Sequence, residues 1–287
     1  MNEPRGLWLY CIIENREPMQ WDCFGIHGTS RIAGVTGGKF AAVVSEEPMK
    51  KYLLVRDYLI AHQKVNEAVM KTHRVLPVRF CTMTDSQEKI IDEVLVPKES
   101  ELRDRLAEVA GKEEYGLRAR WKNLDKVFGE IGETDPRLVE KKKKILSLPE
   151  SQKRGELIDV GHLVQEAVCA KNKAMASLLM DELSPLACAS KRNNTLGDAM
   201  VLNAAFLVRK EKVGLFDKAV SDLDDRYGAD LQLKYVGPVP PFNFVEIVIR
   251  WKEKSPQPPF VKGGNTVAPP LEKGDEGGFG EKDVSVG

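Results

Sequence analysis

Residues 61–80, AHQKVNEAVMKTHRVLPVRF, lead from an amphipathic helix directly into an apolar strand, with no glycine between them. From Val55 to His73 apolar residues and histidines recur at intervals of three and four, which is typical of one face of a helix. Val75–Cys81 is predicted to be a strand. Pro77 lies near its start, where a missing amide donor is tolerated at a sheet edge or a strand end. This helix-to-strand transition predicts a mixed α and β fold.

The two histidines of this stretch could mark either chemistry or packing. His62 and His73 share a helix face, but they lie about 16.5 Å apart along the helix axis. One metal ion cannot bridge that gap, because its ligand bonds are about 2 Å long. Neither histidine belongs to an HExxH motif. We therefore interpret both as packed or hydrogen-bonded residues beside a core-facing stripe, and we expect no metal, no cofactor and no catalytic residues.

The segments around this stretch predict a first α+β domain over residues 1–122. A continuous apolar run is typical of a central strand buried on both faces. Asp85 is a plausible N-cap with Glu88 at the capping-box offset. The predicted elements are strands Leu7–Ile13, Phe40–Val44 and Tyr115–Trp121, and a helix from Asp85 to about Ala110. Together with residues 55–81 they suggest an antiparallel sheet with helices, close to a ferredoxin-like arrangement but without its standard strand order.

A second domain is predicted over residues 123–253, with a long helix and a small βαββ unit. Residues 135–183 are mostly helical with an interruption at Pro149. The elements that follow are strand Met200–Arg209, helix Val213–Arg226, and strands Leu231–Val236 and Phe244–Trp251. Residues 254–287 are rich in Pro, Gly, Lys and Glu, a composition that predicts a disordered tail.

Composition excludes several classes of protein. The chain has 43 Lys and Arg against 43 Asp and Glu, so no global field attracts nucleic acid. Its five cysteines are odd in number and form no CxxC motif, which favours reduced thiols in the cytoplasm. The longest nearly apolar stretch, Ala199–Val208, is far shorter than the ~20 residues of a membrane-spanning helix, and residues 1–6 do not resemble a signal peptide.

Candidate catalytic motifs fail on inspection. Residues 34–39 lack the first glycine and the Ser or Thr of a phosphate-binding loop, so we interpret them as a glycine-rich hairpin turn. Cys81 and Cys169 lie in apolar contexts, and no GxSxG motif is present. Lys141–Lys144 is interpreted as a solvated helix face.

Three prolines between two apolar strands are more informative. Pro238, Pro240 and Pro241 follow Gly237 and expose Phe242 beside them. This segment is either a rigid corner between strands or an exposed element that recognises a partner.

Several motifs, in order, resemble the GvpL/GvpF family of gas vesicle proteins. They are LWLYCII at residues 7–13, HQ at 62–63 followed by VLPVRF at 75–80, EYGLR at 114–118, NAAFLV at 203–208 and YVGPVPPFNF at 235–244. The resemblance covers residues 7–251. Cys81 stands where the family usually has glycine, Val239 where it commonly has Trp, and Phe242 where it commonly has Tyr.

The resemblance implies a non-enzymatic accessory or minor structural protein of gas vesicles, located in the cytoplasm or on the vesicle. Its partners would be the small, strongly apolar shell protein and other accessory proteins. Binding could add a strand to an open sheet edge or cover an apolar face. The predicted partner-binding residues are Pro77, Arg79, Phe80, Pro238, Pro240, Pro241 and Phe242. The alternative is an enzyme or small-ligand-binding protein that uses a cleft between its two domains.

Overall fold

The computed structural model describes residues 3–252 and confirms an α+β protein with antiparallel sheets and one long helix. A short π-helical segment, Ile91–Leu95, follows the second helix. The strands are Arg5–Glu14 (β1), Gln20–Phe24 (β2), Arg31–Gly37 (β3), Phe40–Pro48 (β4), Val75–Pro77 (β5), Met83–Thr84 (β6), Lys112–Trp121 (β7), Ala189–Arg192 (β8), Met200–Arg209 (β9) and Leu231–Val239 (β10). The helices are Arg56–Met70 (α1), Gln87–Ile90 (α2), Glu99–Glu108 (α3), Leu124–Thr134 (α4), Pro136–Ser147 (α5), Glu150–Leu183 (α6) and Val213–Tyr227 (α7).

The described chain divides into two compact units. The first contains residues 3–114 and 238–252, and the second contains residues 115–237. This division differs from the predicted boundary between residues 122 and 123, and it places residues 238–252 with the first unit. The reason is that Val245, Ile247 and Ile249 are buried in a core built from β1, β4 and the helices after β6.

The first unit is built on a sheet with the order β2-β3-β4-β1-β5, in which β6 also pairs with β1. Buried residues of β1 contribute to two cores. One core includes Val65 and Val69 of α1, and the other includes Leu95 and Leu102 from the helices after β6. The prediction that β1 is a central strand buried on both faces is therefore confirmed, because a covered face on each side leaves no place for an alternating polar residue.

The glycine-rich segment forms a hairpin turn as predicted, but the turn is shorter. Gly34 and Gly37 belong to β3, and only Gly38 and Lys39 lie between the paired residues Gly37 and Phe40. Gly38 has a φ of +64°, which glycine adopts without steric cost.

Two predicted elements of the first unit are interrupted. The predicted strand Val75–Cys81 forms a strand only as far as Pro77, and the last hydrogen bond of this stretch to β1 is from the Val78 amide to the Tyr10 carbonyl at 2.9 Å. The predicted helix from Asp85 is divided by the π-helical segment and by the turn at residues 96–98 that contains Pro97. Its N-cap is Ser86, whose hydroxyl accepts from the Lys89 amide, and not Asp85.

The second unit contains a sheet of order β10-β7-β9-β8 and four helices. The predicted strand Tyr115–Trp121 lies here, within β7, and not in the first sheet. Its residues Tyr115, Leu117, Ala119 and Trp121 face one core together with apolar residues of α4, α6 and α7. The interruption at Pro149 is confirmed, since α5 ends at Ser147 and α6 starts at Glu150.

The predicted strand Phe244–Trp251 is wrong. Within it only Ile247 forms a β-bridge, with Val78 in parallel orientation. The predicted disordered tail at 254–287 lies outside the described residues. Among residues 3–252, no helix is long and apolar enough to cross a membrane. All five cysteines are free thiols.

Candidate functional site

In the first unit, the predicted partner-binding segment 77–80 pairs with residues 246–247, which follow the predicted residues 238–242, and Phe80 and Phe242 both lie beside His62. The Ile247 amide donates to the Pro77 carbonyl at 2.8 Å, and the Arg79 amide donates to the Ile247 carbonyl at 3.1 Å. A second link is the ion pair between Arg79 and Glu246 at 3.0 Å. We call this junction of residues 77–80 with residues 238–247 the seam.

The contacts at the seam argue against one of the binding modes considered above, the addition of a partner strand to an open sheet edge. Strand β5 lies at the end of its sheet order. Beyond it, the backbone groups of Pro77 and Arg79 are paired with Ile247 of the same chain. A partner strand therefore cannot be added along residues 77–79 unless this segment is displaced, and binding at the seam has to use side chains.

The seven predicted residues differ in what they expose. Pro77, Pro240 and Pro241 are buried, Arg79 and Pro238 are exposed, and Phe80 and Phe242 are half-buried. The three buried prolines shape the backbone. Of the seven predicted residues, Arg79, Pro238 and the exposed parts of the two rings are therefore the ones that a partner can contact.

His62 packs between the two segments of the seam. Its ring centroid lies 5.6 Å from that of Phe80 and 6.3 Å from that of Phe242. The Trp8 indole donates to His62 Nδ1 at 3.1 Å, which leaves the proton on Nε2, 3.3 Å from the Val78 carbonyl oxygen. Complete burial lowers the pKa of His62 to about 4, so the ring is neutral at pH 7.

His73 also follows the packing interpretation. Its Nδ1 lies 2.8 Å from the Thr72 hydroxyl, and its ring meets Trp21 edge-on with centroids 6.1 Å apart. The interpretation of both histidines as packed and hydrogen-bonded residues is confirmed.

The sequence analysis did not predict the buried polar contact that holds the proline-rich segment 237–242, between Glu114 and Asn243. Glu114, which is buried, accepts from the Asn243 backbone amide at 3.0 Å and from the Asn243 side-chain amide at 2.6 Å. These two residues could have been identified from the sequence, because Glu114 and Asn243 belong to two of the motifs that carry the family resemblance. Glu246, the partner of Arg79, had no comparable signal.

A second set of buried hydrogen bonds, around Tyr10 and Glu47, holds the loop between β2 and β3. The Ile26 amide donates to the Tyr10 hydroxyl at 3.0 Å, and Tyr10 lies 2.7 Å from Ser45, whose hydroxyl donates to Glu47 at 2.7 Å. His27 Nδ1 lies 2.7 Å from the other carboxylate oxygen of Glu47. Burial is also the main reason that the pKa of Tyr10 is raised. The Glu47 carboxylate is thereby satisfied from two sides, which its burial requires.

Burial also determines the reactivity of Cys81, which directly follows the first segment of the seam. It raises the pKa of the Cys81 thiol to about 11, so the thiolate needed for nucleophilic attack is scarce at pH 7. Among residues 3–252, no group of three or more His, Cys, Asp or Glu side chains is placed to hold a metal ion. The seam thus consists of packed rings, prolines and paired charges, an arrangement that suits a binding surface. The protein is thus an α+β protein of two units, and its candidate site is a protein-binding surface formed by the side chains of the seam.

Comparison with known proteins identifies the family. The model of the family described as gas vesicle synthesis protein GvpL/GvpF matches residues 6–246, and the chain belongs to this family. Gas vesicle protein F of Nostoc sp. strain PCC 7120 is 26% identical over 247 residues, covering 84% of this chain and 98% of that protein. Gas vesicle protein F of Microcystis aeruginosa strain PCC 7806 is 26% identical over 245 residues, covering 85% and 99%.

Solved structures agree with these matches. The crystal structure of GvpF from Anabaena sp. PCC7120 aligns with a TM-score of 0.71 at 26% identity, covering 84% of this chain and 98% of that one. GvpF from Microcystis aeruginosa aligns with a TM-score of 0.67 at 25% identity, covering 84% and 99%. The family resemblance inferred from the ordered motifs is confirmed, and it supports an accessory role in gas vesicles.

Proposed function

We propose that this chain is a non-enzymatic accessory protein of gas vesicle assembly that acts in the cytoplasm or on the vesicle. It binds the small apolar shell protein and other accessory proteins. The observation that carries this proposal is the family match over residues 6–246, which includes residues 77–80 of the seam and its second segment as far as Glu246. The packed aromatic rings, the prolines and the ion-paired charges of the seam support a binding role.

The proposed contact covers an apolar face of the shell protein. An apolar subunit exposed before polymerisation is prone to non-specific association, and a partner that removes its apolar area from water lowers that tendency. At the seam, Pro238 and the exposed parts of Phe80 and Phe242 supply the apolar contact. Because buried prolines and the Glu114–Asn243 contact hold the corner, little conformational entropy is lost on binding.

A charge placed on the seam tests this proposal. Pro238→Glu introduces a carboxylate at an exposed position, so the fold should persist while apolar contact is lost. We expect co-expressed shell protein recovered in a pull-down to fall by about tenfold, which corresponds to about 1.4 kcal/mol of binding free energy. Pro18→Glu is the matched control, because Pro18 is an exposed proline of the same unit outside the seam.

The outcome separates two failures. If wild-type protein recovers no shell protein, the proposed function is wrong. If wild type and a folded Pro238→Glu variant recover equal amounts, the function stands and the seam is not the contact surface.

A further inference from the structure

The segment before α1 exposes a continuous apolar run. Leu53, Leu54 and Val55 are 62%, 58% and 41% exposed, although they are consecutive aliphatic residues. Most other aliphatic residues of the first unit, by contrast, fill two buried cores, with Val96 and Val248 as isolated exposed exceptions. An apolar patch of this kind on a folded unit marks an interaction site more often than chance.

The run is held in a fixed turn. Tyr52, directly before it, is buried, with its ring edge-on to Trp8 at 4.9 Å and its hydroxyl donating to the Pro48 carbonyl at 2.9 Å. The Val55 amide donates to the Leu53 carbonyl at 2.9 Å, and α1 begins at the next residue. The apolar side chains are therefore presented by a segment anchored at both ends.

Basic side chains border the run. Lys50, Lys51 and Arg56 are exposed, and so is the adjacent Asp57. Two further carboxylates, the buried Glu47 and the exposed Glu3, act electrostatically on Tyr52. The Lys50 ammonium lies over the Tyr52 ring at 5.6 Å. Within residues 3–252, Lys51 and Arg56 have no ion-pair partner, whereas cations such as Lys141 are paired with carboxylates. Among the residues that the structure describes, the exposed border of the run is thus more basic than acidic.

We propose that residues 50–56 are a docking surface for an amphipathic helix of a partner protein, with its apolar face on Leu53–Val55 and acidic side chains facing Lys51 and Arg56. Residues 50–56 include no residue of the seam, although Tyr52 and Phe80 both pack on the Trp8 ring. The proposal does not depend on binding of the shell protein. The charge pattern favours a protein helix over a lipid surface, because recognition of anionic lipid takes clusters of about 4–8 basic residues and Asp57 opposes it. Apolar anchors with a charged rim are typical of a helix bound in this way.

Two synthetic peptides test the surface on the full chain. Both are leucine-faced helices of about 18 residues, or five turns; one has Glu at the borders of the apolar face and the other has Lys. Fluorescence anisotropy should show that the Glu peptide binds about tenfold more tightly or better. The double variant Leu53→Ser, Leu54→Ser should lose about tenfold for the Glu peptide, and Lys51→Glu with Arg56→Glu should reverse the preference.

A control variant and three outcomes complete the test. Leu157→Ser with Ile158→Ser changes two exposed aliphatic residues of α6 and should leave binding unchanged. Circular dichroism confirms that each variant is folded. Equal binding of both peptides, binding to anionic phosphatidylserine vesicles in place of the Glu peptide, or self-association of the wild type that the Leu53→Ser, Leu54→Ser variant abolishes would each overturn the proposal.

Discussion

At the scale of single residues, Cys81 occupies a backbone conformation that glycine adopts more easily. Its φ is +64°, and the resemblance described above implies that the family has glycine at this position. A non-glycine residue in the left-handed region costs about 1–2 kcal/mol. The departure from the family pattern at this position therefore has a local conformational cost, whereas nothing in the structure explains Val239 or Phe242.

The free energy of unfolding of Cys81 variants should depend on the backbone strain at this position and not on how apolar the side chain is. Cys81→Val is expected to destabilise the protein by about 1–2 kcal/mol, because a β-branched side chain is poorly tolerated at positive φ. Cys81→Gly relieves the strain and offsets the lost packing, so we expect it to be the more stable of the two by more than about 1 kcal/mol. Urea unfolding measures both free energies. A more stable Val variant would contradict this account.

His62 makes stability depend on pH. Its folded pKa of about 4 lies below the unfolded value of about 6.5, so the unfolded chain binds more protons between these values. Stability is fully present above about pH 6.5 and is lost as the pH falls toward 4, by about 3 kcal/mol in total. His62→Gln should reduce this slope in chemical unfolding at stepped pH. Equal slopes in wild type and His62→Gln would refute the assignment.

At the scale of elements, hydrophobic periodicity and the flanking turn residues were sufficient for an amphipathic helix or a fully buried strand. The prediction for β9, Met200–Arg209, matches its bounds, and the predicted α1 and α7 agree within a few residues. The edge strands β2 and β8 were missed, because β8 has four exposed residues and β2 alternates between exposed and half-buried. Their pairing depends on a neighbouring strand that a local pattern does not reveal.

The candidate site could be predicted only in part for a related reason. Proline and aromatic residues marked both segments of the seam, but the contact of Arg79 with Glu246 joins residues 167 positions apart. Periodicity also could not show that residues 245–249 pack beside β5 as irregular chain. Alternating apolar residues predicted a strand there, and tertiary packing satisfied the same pattern without a ladder.

The Glu114–Asn243 contact should be strongly coupled. Asn243→Ala removes the side-chain donor of a buried carboxylate, and we expect a loss of about 2–3 kcal/mol. In a double-mutant cycle with Glu114→Gln, the coupling energy should exceed about 1 kcal/mol. The exposed pair Lys218–Asp222 on α7 is the control and should show less than about 0.5 kcal/mol. Additive effects at Glu114 and Asn243 would mean that the contact does not anchor the corner.

At the scale of the whole molecule, charge balance shapes how the protein meets its partners. Lys plus Arg equals Asp plus Glu at 43 each, so long-range steering toward a charged partner is weak. Within each unit charges are often paired, as in Arg79–Glu246 of the first unit and Arg226–Glu182 of the second. The proposed binding of the shell protein therefore has to draw on apolar contact at short range.

Salt dependence distinguishes apolar contact from charge attraction in that binding. Between about 50 mM and 500 mM NaCl the screening length falls from about 14 Å to about 4 Å, so a contact that depends on exposed ion pairs weakens markedly. If apolar area at the seam dominates, shell protein recovered with the intact chain should change by less than about twofold, because salt does not weaken burial of apolar surface. The Glu-bordered peptide on residues 50–56 provides an internal contrast, since its binding should weaken several-fold over the same range. A loss of shell-protein recovery as large as that of the peptide would show that charge, and not the apolar surface of Pro238, Phe80 and Phe242, holds the complex together.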